Sequence, residues 1–361
     1  MITAGAPTGT STRALDADLF DYPLPVERIA QAPLEPRDAS RLLHVEPGGR
    51  VTDHVFTELP ALLRPGDLLV ANDTVVRAAR LRGLRDDGGP AEVLLLERLG
   101  GDRFSALVRP GRRLRHGTQV TVDDTLRVRV AGAAPGHPGA RIVELETSGD
   151  AKEAIARLGE APLPPYIHTP LLDRQRYQTV YATGDPASAA APTAGLHFTQ
   201  RLRAALAAHG IDWATVQLDV GLGTFAPITT TDVRVHRMHA ERCTLPTATV
   251  TSIEATRAAG GRVIAVGTTA VRTLESHIDI AGHLCPGSMS TELFITPGHR
   301  FAVVDGLLTN FHQPRSSLLV LLAAFIGARE WRDAYDHALA HGYRFLSFGD
   351  CMLCWPADAR S

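Results

Sequence analysis

The chain has 361 residues, 44% of them apolar, and a formal net charge of −2 at pH 7. That length can bury a sizeable core in one large domain or two, and the composition is that of a soluble globular protein. A near-neutral balance argues against dedication to nucleic acid alone, and the longest apolar run, LLVLLAAFIG at 318–327, is about half the ~20 residues of a membrane span.

Residues 1–15 carry no basic, apolar leader pattern, so a loose N-terminal tail and a cytoplasmic location are expected. The four cysteines, at 243, 285, 351 and 354, are too few and scattered for a disulfide framework. CMLC (351–354) has C-x-x-C spacing, but zinc needs two further ligands, so no metal is expected.

LLRPGDLLVAND (62–73) reads as a turn and a strand. Five alternating runs follow: AEVLLLERL, FSALVRP, TQVTVDD, LRVRVAG and ARIVELE. Separated by Gly, Pro and Asp turns, they predict a small antiparallel barrel or sandwich at about 75–150. From Arg77 to His116 ten arginines stand against five acids, a net +5 over forty residues. Arg77, Arg80, Arg109, Arg112, Arg113 and Arg115 could track a phosphate backbone. A solvated face is the alternative, because the chain uses arginine almost to the exclusion of lysine.

Beyond the barrel the pattern alternates. RLRAALAAHG (201–210) is helical with a glycine stop, IDWATVQLDVG (211–221) is a strand, TATVTSIEATRAAGG (247–261) a helix, RVIAVG (262–267) a strand and AVRTLESH (270–277) a helix. This predicts a mixed α/β main domain built from residues 16–74 and 151–361, with a small antiparallel β-barrel at 75–150 inserted into it.

Several segments could carry chemistry. APTAGLHF (191–198) combines a hydroxyl, a flexible glycine and an imidazole, as if backbone and a few polar atoms must approach something closely. In RVIAVGTTAVRTLES the Gly267-Thr268-Thr269 turn opens a helix, exposing N–H groups that suit a carboxylate or phosphate, with Arg272 near the helix start as a forked donor. An ordinary capped β–α turn is the alternative. LDVGLGTF (218–225) resembles a nucleotide loop, but its continuation is a poor helix, so a methyltransferase reading fails. HRMHAE (236–241) offers His236, His239 and Glu241 without a complete zinc set, and imidazole titrates near neutrality. TNFHQPRSS (309–317) contributes Asn310 and His312, and FLSFGDCM (345–352) contributes Asp350.

Taken together and in this order, these segments resemble the S-adenosylmethionine:tRNA ribosyltransferase-isomerase family of queuosine biosynthesis. FDYPLPVERIAQAPLEPRDASRLL (20–43), LRPGDLLVANDT (63–74) and LPPYIHTP (163–170) match it too, and the resemblance spans about residues 16–354. It implies an α/β domain with an inserted barrel, agreeing with the reading above. It also implies transfer of the ribosyl part of S-adenosylmethionine to 7-aminomethyl-7-deazaguanine at the tRNA wobble position, giving epoxyqueuosine with release of adenine and methionine. No metal is implied, and a monomer is expected.

The substrate dictates the demands on the site. The sulfonium acidifies the C5′ protons, so a base can remove one; adenine must leave C1′, helped by a proton. On the matching motifs, His197, His239, His312 and Asp350 are the acid–base candidates, with His197 preferred as the base. Thr193, Gly195, Phe198, Gly221, Gly223, Thr224, Gly267, Thr268, Thr269, Arg272 and Asn310 are expected to hold S-adenosylmethionine.

The sequence departs from the family pattern at Val75 (usually Arg), Ala78 (Pro), Asp219 (His), Ala226 (Arg or Gln) and Thr296 (often Tyr). Arg77 could compensate for Val75. Two alternatives stay open: a paralogue acting on S-adenosylmethionine with a small-molecule acceptor, and a catalytically lapsed tRNA-binding module.

Overall fold

A computed structural model of the protein describes residues 15–135, 139–221 and 227–356. Gly223, Thr224, Ala226 and nearly all of the expected N-terminal tail lie outside them.

The main body is a mixed sheet, nine-stranded among the described residues. Across it run Gly287–Thr291, Glu241–Leu245, Asp212–Leu218, Leu68–Asn72, Val263–Val266, Gly306–Asn310, Cys351–Cys354, Arg41–Val45 and Val51–Val55. The four strands from Asp212–Leu218 to Gly306–Asn310 are mutually parallel. Their near-continuous apolar character follows from burial on both faces. Alternation along each strand splits the core: Val70, Val263, Ala265 and Leu307 face the helices Thr247–Ala258, Thr268–Ser276, Ser317–Ile326 and Glu330–Ala340. Leu69, Ala71, Ile264 and Leu308 face the helix Gln200–Ala208 on the other side. Cys351 and Cys354 belong to these opposite faces, so the C-x-x-C pair cannot share one ion.

Strands Arg80–Arg85, Pro90–Gly100, Arg103–Arg109, Gln119–Thr121, Leu126–Ala133 and Arg141–Thr147 close into an antiparallel barrel around Leu81, Val93, Ala106, Val128 and Val143. Closure removes every exposed edge. No helix among the described residues is long and apolar enough to cross a membrane; Ser317–Ile326 is a buried core helix, capped by Ser316.

One buried carboxylate sets the height of the strand that carries Asn310. Glu275 accepts hydrogen bonds from the backbone N–H groups of Ala302, Val303 and Val304, just before the strand Gly306–Asn310. Burial pushes its carboxyl up, but His299 and the three amides more than offset this and hold it below the usual range. A depressed folded value means stability present above the ordinary glutamate range and lost as pH falls through the folded value. Glu275→Gln, which places an amide N–H against backbone donors, should cost about 1–3 kcal/mol at pH 7. In denaturant titrations the gap between wild type and variant should narrow as pH drops below the ordinary range; a gap constant with pH would remove the charge from the account.

Candidate active site

The carboxyl ends of the central parallel strands meet the APTAGLHF segment, which folds as a short 3-10 helix over Thr193–His197. Between them lies a cleft with a cavity of about 70 Å³, walled by Tyr166, Pro192, Thr193, Ala194, Val220, Gly267, Thr268, Thr269, Thr309, Asn310, His312, Leu346 and Ser347 among others. Ligands of open α/β sheets bind at this edge.

Gly267 makes the junction possible. Its φ of 86° favours glycine, and it leads into Thr268–Ser276 with no side-chain cap. The first N–H groups of that helix have no i−4 carbonyl to bond. The Thr269 hydroxyl beside them is buried without a partner.

Across the cleft, Asn310 is only 3% exposed. Its Nδ2 faces the Leu346 and Asp350 carbonyls at 3.2 and 3.4 Å and His197 Nε2 at 3.1 Å. Flipping the amide would set its oxygen against two carbonyls, so the orientation is fixed. His197 Nε2 must therefore accept, and its proton sits on Nδ1, donated to Ser40 Oγ at 2.7 Å. Leu346 holds its carbonyl there from a left-handed backbone, φ 69°, a conformation that costs roughly 1–3 kcal/mol and persists only when surroundings impose it. Asn310 Oδ1 is left buried with no partner.

This geometry corrects the preference for His197 as a base facing the ribose. Both ring nitrogens are engaged, the ring packs against Phe56 at 5.1 Å, and it does not wall the cavity. Burial, with Arg344 nearby, pushes it down to about 3. His312 does wall the cavity. Its backbone is pinned from both sides: the Tyr22 hydroxyl donates to its carbonyl, and its N–H donates to Tyr335 Oη at 2.8 Å. Its Nε2 pairs with Thr309 Oγ1 at 3.1 Å, and burial pushes the imidazole down to about 3. It is neutral throughout the physiological range.

Other expected site residues sit elsewhere. Asp350 accepts from the backbone N–H groups of Arg41 and Arg344 and does not wall the cavity. Phe198 is a core residue between Phe56 and Trp213. His239 is exposed and outside the cavity wall. Arg272, the fifth residue of that helix, is buried, bonded to the Glu241 carboxylate and the Leu293 carbonyl, and does not wall the cavity. Gly221 lies at the same pair, donating its N–H to Glu241 Oε1 at 2.7 Å. Ser40, Tyr166, Thr309 and Leu346 lie in the segments DASRLL, LPPYIHTP, TNFHQPRSS and FLSFGDCM, where residue type alone does not single them out, and Glu241 of HRMHAE is the partner of Arg272. Tyr166 donates to or accepts from Ser347 Oγ at 2.8 Å, and burial pushes its phenol up to about 12.

The barrel arginines divide. Arg77 donates to the Leu95 and Leu96 carbonyls and Arg80 to the Leu163 carbonyl, so these two tie chain segments together. Arg82, Arg85, Arg98 and Arg103 pair with acids. Arg109, Arg112, Arg113 and Arg115 are exposed, with no acid paired to them among the described residues. Leu114, fully buried in the barrel core, anchors the loop that displays them.

The fold is an open α/β sheet with a cleft at its carboxyl edge, the edge at which ligands of such sheets bind, and a barrel with an exposed basic loop. Residues 17–354 match the family model described as queuosine biosynthesis protein, and the chain belongs to that family. The S-adenosylmethionine:tRNA ribosyltransferase-isomerase of Synechococcus elongatus is 49% identical over 349 residues, 95% of this chain and 96% of its own. That of Moorella thermoacetica is 51% identical over 338 residues, 92% and 98% of the two chains. The crystal structure of S-adenosylmethionine tRNA ribosyltransferase from Thermotoga maritima is similar with a TM-score of 0.53 at 37% identity, covering 93% of this chain and 99% of that one.

Gly195 is needed for packing behind the cleft. A Cβ there would lie 1.9 Å from Tyr181 Oη and 2.8 Å from Thr179 Cγ2. Gly195→Ala should therefore destabilise by about 1–3 kcal/mol, and adding Tyr181→Phe should restore part of it in thermal unfolding. No rescue by the second substitution would show that the contact is not the cause.

Proposed function

We propose that this chain is itself an S-adenosylmethionine:tRNA ribosyltransferase-isomerase of queuosine biosynthesis, transferring and isomerising a ribosyl group onto the 7-aminomethyl-7-deazaguanine of tRNA. The observation that carries it is family membership across residues 17–354, with relatives of that activity near half identical over almost the whole chain. The product is epoxyqueuosine, with adenine and methionine released.

S-adenosylmethionine supplies an activated C5′ carbon beside its sulfonium and two leaving groups. The cleft fits such a ligand: the uncapped start of the helix Thr268–Ser276 and apolar walls at Ala191, Phe311 and Leu346. The whole ligand exceeds the ~70 Å³ cavity, since sites for such molecules run to ~300–1,000 Å³; part of it lies along the open mouth. His312 and Tyr166 are the titratable groups of the wall. His312 is neutral, with its basicity lowered by burial, and Tyr166 stays protonated as a donor. His197 serves as a positioning residue for Asn310. Arg109, Arg112, Arg113 and Arg115 meet the tRNA backbone.

Mass spectrometry of reactions with tRNA carrying the aminomethyl base should show adenine and methionine released together with epoxyqueuosine. Release without tRNA would favour a small-molecule acceptor, and no release in either case would sink the enzyme reading. His312→Gln should slow C5′ deuterium exchange by ~10²–10⁴-fold; undiminished exchange moves the base elsewhere.

Neutralising Arg112, Arg113 and Arg115 together should weaken tRNA binding and flatten its salt dependence by up to three phosphate contacts. Equal affinity at every salt concentration would make the loop a solvated face.

A further inference from the structure

The strand Gly306–Asn310 is buried along its whole length, yet it carries a hydroxyl at Thr309, which is 1% exposed. Leu307 and Leu308 precede it, and a valine would take the same space with no polar group to satisfy. A buried hydroxyl is kept where it has a partner. Among the described residues the Thr309 hydroxyl has one, Nε2 of His312 at 3.1 Å. Turning the imidazole over would set a ring carbon against that hydroxyl and leave it with none, so the ring orientation is fixed.

The rest of His312 is already held. Its carbonyl accepts from the Tyr22 hydroxyl and its N–H donates to Tyr335 Oη at 2.8 Å, which pins the backbone. The side-chain torsions are the freedom that remains, and the bond to Thr309 is the one hydrogen bond the ring makes among the described residues. The wall of the cavity has no Asp, Glu, Lys or Arg, so no charged group there competes to place the imidazole proton. Which nitrogen of a neutral imidazole carries the proton is set by the hydrogen bond that the other makes. Thr309 therefore governs both the rotation of the ring and its tautomer.

The opposite nitrogen is the one left for a ligand. Nδ1 of His312 has no partner and is not sealed from solvent, unlike Asn310 Oδ1 and Thr269 Oγ1, which are both sealed. The 7% of His312 that stays exposed belongs to a residue of the cavity wall.

We propose that Thr309 is a positioning residue for His312: its hydroxyl holds Nε2, fixes one tautomer and leaves Nδ1 as the nitrogen that meets S-adenosylmethionine. This rests on the reading of that molecule as substrate. It names the atom through which His312 acts and the side chain that aims it.

Nitrogen NMR on the full chain, labelled in its histidine rings, tests this, with the His312 signals assigned by their absence in His312→Gln. Wild type should show one protonated and one unprotonated ring nitrogen, and Thr309→Ser should keep that pattern. Thr309→Val fills the same space on a buried strand, where valine is favoured, but should average the two nitrogens toward a mixture of tautomers. An unchanged pattern in Thr309→Val overturns the proposal, and a wild-type ring that already mixes tautomers overturns it without any variant. Adding S-adenosylmethionine, with binding confirmed by calorimetry, should move Nδ1 more than Nε2. A larger shift at Nε2, or none at either nitrogen, also overturns the proposal. In turnover, Thr309→Val should lower kcat roughly tenfold with KM unchanged, and Thr309→Ser should restore it; a packing defect would not be rescued by the smaller side chain. Failure of wild type to bind S-adenosylmethionine overturns the enzyme reading and the ligand half of the proposal with it. The ligand-free tautomer comparison then judges Thr309 alone.

Discussion

A buried amide can face only one way when two carbonyls stand on one side of it, and the cleft depends on that constraint. Asn310 Nδ2 points at Leu346 and Asp350 because in a desolvated site the flipped amide would set its oxygen against two carbonyl oxygens. From this the other roles follow. His197 has to accept on Nε2, so it is neutral and carries its proton toward Ser40. Leu346 has to adopt a left-handed backbone to offer its carbonyl. Residues from both ends of the chain and from its middle meet in this network, Ser40 through His197 and Leu346 and Asp350 directly at Asn310.

The barrel sits outside this network and obeys a different constraint. Several of its strand arginines pair with acids, Arg80 with Glu92, Arg82 with Glu160, and Arg129 with Glu144 and Glu146. The balance fails at the loop after Arg103–Arg109, where Leu114 fixes the backbone and the charges face solvent. Net charge over the stretch therefore does not show where its unpaired cations lie. Counterion release scales with the unpaired cations that reach phosphates, not with the arginine count.

The fold was legible because period and turns are local. Alternating runs separated by Gly, Pro and Asp announced the barrel, and strand–helix alternation announced the α/β body. The Gly267 turn was readable for the same reason: a glycine between an apolar strand and a helix start. The site was less legible. His197 and Asp350 look like acid–base groups in sequence because residue type says nothing of how many partners each will have. In the fold both are saturated, His197 by Ser40 and Asn310, Asp350 by the Arg41 and Arg344 amides. Leu346 could not be found at all, since its contribution is a backbone angle. Arg272 misled because one turn of helix decides whether a side chain faces a cleft or the sheet behind it.

The departures from the family pattern can now be located. Asp219 accepts from Thr74 Oγ1 at 3.1 Å, and burial raises its carboxyl, opposed by Thr74, Arg242 and Arg77. Val75 pairs with Pro186 in a short parallel bridge beside it. Arg77 does not stand in for an arginine at 75, because its guanidinium is bonded to carbonyls of the barrel. Neither these residues nor Thr296 walls the cavity. The exchange of an imidazole for a carboxylate thus falls at the junction of sheet and barrel, outside the pocket where Gly267, Asn310 and His312 meet. A change there lies outside the wall of this cavity.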